Sequence, residues 1–236
     1  MTVSFNIEYR TSWGEEVRIA GLLPESILMH TTDGIYWTAD VELEVPKEGM
    51  TINYSYQIEQ NQIIIRKEWD SFPRRLFLSG NSKKKYQIKD CWKNIPEQLY
   101  YYSSAFTEAL LAHPDRAEIP PCHRKGLVIK AYAPRINKDY CLAICGNQKA
   151  LGNWDPDKAI PMSDANFPEW QIELDASKLK FPLEYKFILY HKEEKKADCW
   201  ENNPNRYLAD PELNTNETLV ISDLSLIHIS EPTRPY

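Results

Sequence analysis

No apolar segment in the chain approaches the ~20 residues that a membrane-crossing helix needs, so no transmembrane helix and no membrane partner are expected. The amino terminus, Met1-Thr2-Val3-Ser4-Phe5-Asn6-Ile7, lacks the basic and apolar regions of a secretory signal. Clustered positive charge is missing as well. The formal net charge is −6 and the pI is near 5.5, and the densest basic run is Lys83-Lys84-Lys85, expected to be a solvated turn beside a strand. Binding to a phosphate backbone rests on clustered lysine and arginine, so no nucleic-acid partner is expected. The five cysteines, Cys91, Cys122, Cys141, Cys145 and Cys199, form an odd set without a C-x-x-C pair. Free thiols in a reducing cytoplasm are the expectation, with no metal and no cofactor. Cys141 and Cys145 have the even spacing that puts both on one face of a strand, as small core residues.

What is present is a chain of 236 residues, 42% hydrophobic and 26% charged, enough for one or two ordinary globular domains. Alternating apolar and polar residues mark strands at 3–9, 17–21, 36–43, 52–58 and 62–66, and again at 127–132, 140–146, 169–174, 185–190 and 217–221. Between them, residues 91–125 read as a linker. Phe106, Ala109, Leu110 and His113 share one face of a short helix begun by Ser103 or Ser104 and ended before Pro114. Tyr100-Tyr101-Tyr102 is read as a packing anchor, and Pro120-Pro121 stiffens the approach to the next strand. The order of elements then repeats with a period of about 130 residues. Val17-Arg18-Ile19-Ala20-Gly21 lies over Leu142-Ala143-Ile144-Cys145-Gly146, Trp37 over Trp170, and Tyr54-Ser55-Tyr56-Gln57-Ile58 over Tyr185-Lys186-Phe187-Ile188-Leu189. Trp69-Asp70-Ser71-Phe72-Pro73-Arg74-Arg75 is laid over Trp200-Glu201-Asn202-Asn203-Pro204-Asn205-Arg206. The predicted fold class is therefore all-β, with two homologous domains in tandem.

Three of the seven tryptophans fall between Gly146 and Arg206. Two of them, Trp154 and Trp200, sit in polar turn chemistry, in Leu151-Gly152-Asn153-Trp154-Asp155 and Trp200-Glu201-Asn202-Asn203-Pro204-Asn205-Arg206. An indole on such a loop offers a rigid apolar face and one N–H donor. The C–H faces of a glucose ring match the first, and its hydroxyl rim wants amide, carboxylate and ammonium partners. A plain core role for the two indoles and a solvated surface role for Lys186 are the alternatives to this reading.

L-G-N-W-D, a tryptophan opening a later strand, E-Y-K-F-I and W-E-x-x-P-N-R, in that order over residues 126–222, resemble the starch-binding carbohydrate-binding module of family 20. The resemblance implies an immunoglobulin-like antiparallel β-sandwich. It also implies a first sugar site made of Trp154, Lys186, Trp200 and Asn205, with Glu201 on its rim, and a second around Trp170 and Phe167. Asp155 and Asp157 are read as turn or sugar-rim groups. The first half departs from the pattern: residues 22–29 hold no tryptophan, Ser55 stands for the lysine and Arg74 for the asparagine. Only Trp37 and Trp69 remain, Trp69 as a candidate secondary sugar contact, so residues 1–90 are expected to be a sandwich with a degenerate site, residues 91–125 the linker, and residues 126–223 the module with the intact motif.

Two such modules at an amino terminus are similar to the start of 4-α-glucanotransferases of the amylomaltase family, of the cytosolic disproportionating type. This implies an α-glucan partner (starch, glycogen or maltodextrin) and a carboxy-terminal (β/α)-barrel catalytic domain of glycoside hydrolase family 77. The nucleophile and acid of glycosyl transfer cannot be assigned in these residues, and the barrel needs some 250 residues more. Residues 224–236 resemble translated sequencing-adapter read-through and are expected to be foreign, leaving a non-catalytic fragment cut before its barrel. Two other readings stand beside this one: a β-sandwich that binds another protein, or the starch-binding region of a glucan phosphatase, dikinase or amylase.

Overall fold

The computed structural model describes residues 1–69, 73–94, 100, 103–110 and 123–223. The expectations for Tyr101, Tyr102, Leu111 to Cys122 and the tail 224–236 lie outside the described residues. The chain is built almost entirely of strands, most of them antiparallel. It divides into two compact units, the first taking residues 1–99, 119–128 and 213–224, the second residues 100–118, 129–212 and 225–236.

In the first unit, β2 (Glu15–Ala20) and β5 (Met50–Gln60) form the centre of one sheet. β3 (Ile27–Leu28) flanks β2, while β6 (Ile63–Lys67) and β7 (Arg74–Leu78) flank β5. The other sheet pairs β1 (Thr2–Glu8) antiparallel with β4 (Tyr36–Glu42) and parallel with β8 (Lys85–Cys91). Alternation along β1 and β4 turns Val3, Phe5 and Ile7, and Trp37, Ala39 and Val41, into one core with Val17, Ile19, Tyr54, Tyr56 and Ile88. β17 (Glu217–Asp223) belongs to this unit too, running parallel to β8 from Glu217↔Lys85 to Ile221↔Lys89. Its Val220 joins the same core. The compact units thus divide the chain differently from the expected boundary, which left 126–223 whole.

The second unit repeats the central pairing. β10 (Tyr140–Gly146) lies against β14 (Leu183–His191), flanked by β11 (Ile160–Pro161), β15 (Lys196–Trp200) and β16 (Arg206–Leu208). A second layer is ordered β12 (Ser163–Asn166), β13 (Glu169–Asp175), β9 (Gly126–Tyr132). The registers of the two units agree with the overlay read from sequence: Ile19 faces Tyr56 and Ala20 faces Ser55, as Ile144 faces Phe187 and Cys145 faces Lys186. Gly21 and Gly146 close the equivalent strands. A Cβ at Gly21 would lie 3.1 Å from the Asn53 carbonyl oxygen, and one at Gly146 2.5 Å from that of Glu184.

One local reading is corrected by burial. Lys84, expected in a solvated turn, is 5% exposed; its ammonium donates to the His123 carbonyl at 2.8 Å, which satisfies the charge as its stem packs inward. The short helix expected from Ser103 or Ser104 is a π-helical turn at Ala105–Leu110, entered through Phe106 N–H donating to Ser103 O at 3.0 Å. Tyr100 meets Phe106 edge to face at 6.0 Å. Cys141 and Cys145 are core residues as expected, and no disulfide joins the four described cysteines. Among the described residues no helix is long and apolar enough to cross a membrane.

Candidate functional site

The site begins where β10 ends. Beyond Gly146, Asn147 N–H donates to Glu184 O at 3.0 Å. Gln148 clasps a neighbouring loop with both ends of its amide: Nε2 donates to Lys180 O and Oε1 accepts from Lys180 N, each at 2.9 Å. The Gln148 carbonyl then accepts from Leu151 N at 2.8 Å and Asn153 N at 3.0 Å, which coils the chain into a tight turn over the buried Leu151.

Three successive residues of that turn lie in left-handed backbone space, Gly152 at φ 79, Asn153 at φ 54 and Trp154 at φ 60. Glycine tolerates this freely and asparagine with little cost, but an indole-bearing residue is an outlier there. Such strain persists only where the surroundings enforce it. Here Asp155 N–H donates to Gly152 O at 3.0 Å, the Asp155 carboxylate accepts from Asp157 N at 3.2 Å and from the Lys158 ammonium, and the Cys145 thiol donates to Asp155 O at 3.5 Å. The Lys158 hydrogen bond, followed by the Asp157 N–H, holds the Asp155 carboxyl below its ordinary value of 3.8. Burial pushes the Cys145 thiol upward. The result is a half-buried indole held at the rim of the unit.

Trp200 arrives from the other side, at the end of β15 opposite Ile188. The two indole rings are 6.2 Å apart, tilted by 44°. The tilt sets the two apolar ring faces at an angle to one another. Lys186 precedes Ile188 by two on β14, so it shares the face that carries Trp200. The exposed Asn205 is fixed through Nδ2, which donates to Glu184 Oε2 at 3.3 Å, and Glu184 occupies that same face two residues before Lys186. The structure thus brings the Trp154 and Trp200 rings together, sets Lys186 on the strand face that carries Trp200 and ties Asn205 to Glu184 of that face.

Glu201 does not join them. It is 2% exposed, and its carboxylate accepts from Phe187 N–H at 2.9 Å and from Arg206 Nε and Nη2 at 3.0 and 2.7 Å. The Arg206 guanidinium in turn lies over the Phe187 ring at 4.9 Å. Glu201 follows Trp200 by one, so strand alternation turns it to the opposite side; it closes the 202–205 loop instead of touching a ligand.

The expected second site is corrected more strongly. Phe167 and Trp170 have no exposed area; their rings meet edge to face at 5.9 Å, and Trp170 Nε1 donates to Ala133 O at 3.0 Å. A ring with no free face cannot stack on a sugar, and both are core residues. Trp69 is half-buried and is not the counterpart of Trp200. β6 and β15 carry the true correspondence: Gln57 faces Lys67 as Ile188 faces Trp200. Glu68 then accepts from Tyr56 N–H and Arg74, as Glu201 does from Phe187 N–H and Arg206. Arg74 is accordingly the partner of Arg206, and Lys67 stands where the second indole would be. Glu184 and the Gln148 clasp were missed from sequence; the signal for Glu184 was its place two residues before Lys186.

Residues 128–220 match the family model described as the starch binding domain. A 4-alpha-glucanotransferase DPE2 of Oryza sativa subsp. japonica is 22% identical over 239 residues, which cover 91% of this chain and 24% of that protein. A cyclomaltodextrin glucanotransferase of Bacillus sp. (strain 1-1) is 35% identical over 83 residues, covering 34% of this chain and 11% of that protein. The chain thus spans about a quarter and about a tenth of the lengths of these relatives. Among solved structures, the family 20 module of a maltotetraose-forming amylase from Pseudomonas saccharophila STB07 aligns with TM-score 0.34 and 16% identity, covering 42% of this chain and 99% of that one.

Proposed function

We propose that this chain binds α-1,4-glucan (starch, glycogen or maltodextrin) without turning it over, through the face that carries Trp154 and Trp200. The observation that carries this reading is the indole pair, 6.2 Å apart and tilted by 44°, set in a segment that matches the starch-binding family. Each indole can hide roughly half of its ~200 Å² against a sugar face, which at ~25 cal/mol per Å² stabilises the complex by about 2–3 kcal/mol per ring. Lys186 and Asn205 supply the donors that orient the hydroxyl rim. Residues 126–223 form the binding module in this reading, and residues 1–90 a related sandwich whose site has been lost.

In this reading the region sits at the amino-terminal end of a cytosolic 4-α-glucanotransferase with its catalytic domain on the same parent chain; the likeness to the rice 4-alpha-glucanotransferase supports the enzyme class of that parent. A protein-contact role for the first unit has its own observation. Its edge strand β6 exposes Ile63, Ile64 and Ile65, and exposed apolar edges are places where other chains pair.

Calorimetric titration of the whole chain with β-cyclodextrin and maltoheptaose tests the reading. The unaltered chain is expected to bind both saturably, and Trp154→Ala and Trp200→Ala are each expected to weaken binding by about fiftyfold or more. A folded chain that binds neither sugar would overturn the glucan reading.

A further inference from the structure

Tyr207 is 65% exposed, in contrast to the buried rings of Tyr185 and Phe187 on the neighbouring β14. β16 pairs with β14 through Leu183↔Leu208, Glu184↔Tyr207 and Tyr185↔Arg206. Tyr185 also faces Gly146 of β10, so β16 lies along the edge of β14 opposite to β10, the edge that β15 follows further on. Directly opposed residues of an antiparallel pair share a face. Tyr207 is therefore on the face of Glu184 and Lys186, which is also the face of Trp200 opposite Ile188. From Ile188 to Glu184 is four residues of strand, about 13 Å at ~3.4 Å each. Between these positions sits Asn205, tied to Glu184.

We infer that Tyr207 is a third stacking ring, forming a subsite that lengthens the Trp154–Trp200 platform for linear α-1,4-glucan chains. This rests on reading the indole pair as a glucan site. A linear chain seated on the indoles runs past Asn205 and lays a further glucose on the phenol ring, while a short oligosaccharide or a closed ring that fits the indoles does not reach it. Tyr207 thus sets a preference for chain length rather than the basal affinity.

The test compares maltotriose, β-cyclodextrin and maltoheptaose, titrated calorimetrically against the whole chain and against Tyr207→Ala and Tyr207→Phe. Tyr207→Ala is expected to weaken maltoheptaose about fivefold to tenfold, with maltotriose and β-cyclodextrin unchanged, and Tyr207→Phe, which keeps the ring, to match the unaltered chain for all three. Unchanged maltoheptaose affinity in Tyr207→Ala would overturn the subsite, as would an equal loss for all three sugars, which marks a purely structural residue. Failure of the unaltered chain to bind β-cyclodextrin would overturn the indole reading itself, and the subsite with it.

Discussion

The two units build the same framework under two different surfaces. In each, a glycine lets one central strand approach a carbonyl of the other: Gly21 near Asn53 O of β5, Gly146 near Glu184 O of β14. A buried glutamate accepts a backbone N–H and an arginine in each, and that arginine lies over an aromatic ring, Arg74 over Tyr56 at 5.4 Å and Arg206 over Phe187 at 4.9 Å. The outward positions differ throughout. Where the second unit has Glu184, Lys186, Trp200 and Tyr207, the register gives the first Asn53, Ser55, Lys67 and Arg75. The buried glutamate–arginine pair faces inward and is shared in kind, and every residue read as touching sugar faces outward and is not.

The inward frameworks also differ in one respect that stability measurements will magnify. Arg74 is 3% exposed and bridges two buried carboxylates, Glu68 at 2.7 Å and Asp90 at 3.2 Å, with the Tyr54 and Tyr56 hydroxyls donating to Asp90 at 2.8 and 3.0 Å. Both phenols are held well above their ordinary value, chiefly by burial and then by the Asp90 charge. Arg206 is 15% exposed and serves Glu201. Arg74→Met strands two carboxylates and is expected to cost about 3–5 kcal/mol in urea unfolding. Arg206→Met strands one and is expected to cost about half of that. Equal losses would show that the two networks are equivalent after all.

The next contrast concerns the lost site. In a Trp200→Ala background, Ser55→Lys with Lys67→Trp restores two of the outward residues to the first unit. The expected outcome is no recovery of the roughly fiftyfold lost affinity for β-cyclodextrin, because residues 22–25 supply no counterpart of the strained Trp154 turn and one indole makes no angled pair. Recovery to within a few fold would mean that the turn is dispensable.

A smaller effect is expected from pH. The Asp155 carboxyl is lowered in the folded chain by its Lys158 hydrogen bond, so its hold on the Trp154 turn is complete above its ordinary value of 3.8 and is lost as pH falls through the lowered folded value. β-Cyclodextrin affinity should be flat from about pH 5 to 8 and decline below about 4, and Asp155→Asn should remove that decline. A decline between pH 5 and 8 would assign the dependence to another group.

Much of this was legible in the residues. Alternation located the principal strands, and L-G-N-W with W-E-x-x-P-N-R located the indole pair, because polar turn chemistry around an indole is a strong local signal. Its angle and spacing depend on three left-handed residues in succession, which no pattern of residue types announces. The misplaced second site was avoidable: Trp170, Ile172 and Leu174 alternate on one strand face, so the tryptophan goes inward with its apolar companions. Glu201 obeys the same parity. Trp69 lies two residues beyond Lys67, the true counterpart of Trp200, so matching tryptophan to tryptophan slips the register by two there, and the six residues from Glu68 to Arg74 against five from Glu201 to Arg206 leave the arginines one apart. Asp90, an inward charge, reads as a surface residue until Arg74, Tyr54 and Tyr56 are seen around it.

The central claim is that glucan binding belongs to the outward face of the second unit, and the indole N–H resonances of the seven tryptophans test it most directly. Assigned by single Trp→Phe variants and followed by NMR during titration with β-cyclodextrin, the Trp154 and Trp200 signals are expected to shift saturably together, while those of Trp13, Trp37, Trp69, Trp92 and Trp170 stay in place. Saturable shifts at Trp13 or Trp69, with Trp154 and Trp200 unmoved, would contradict the account.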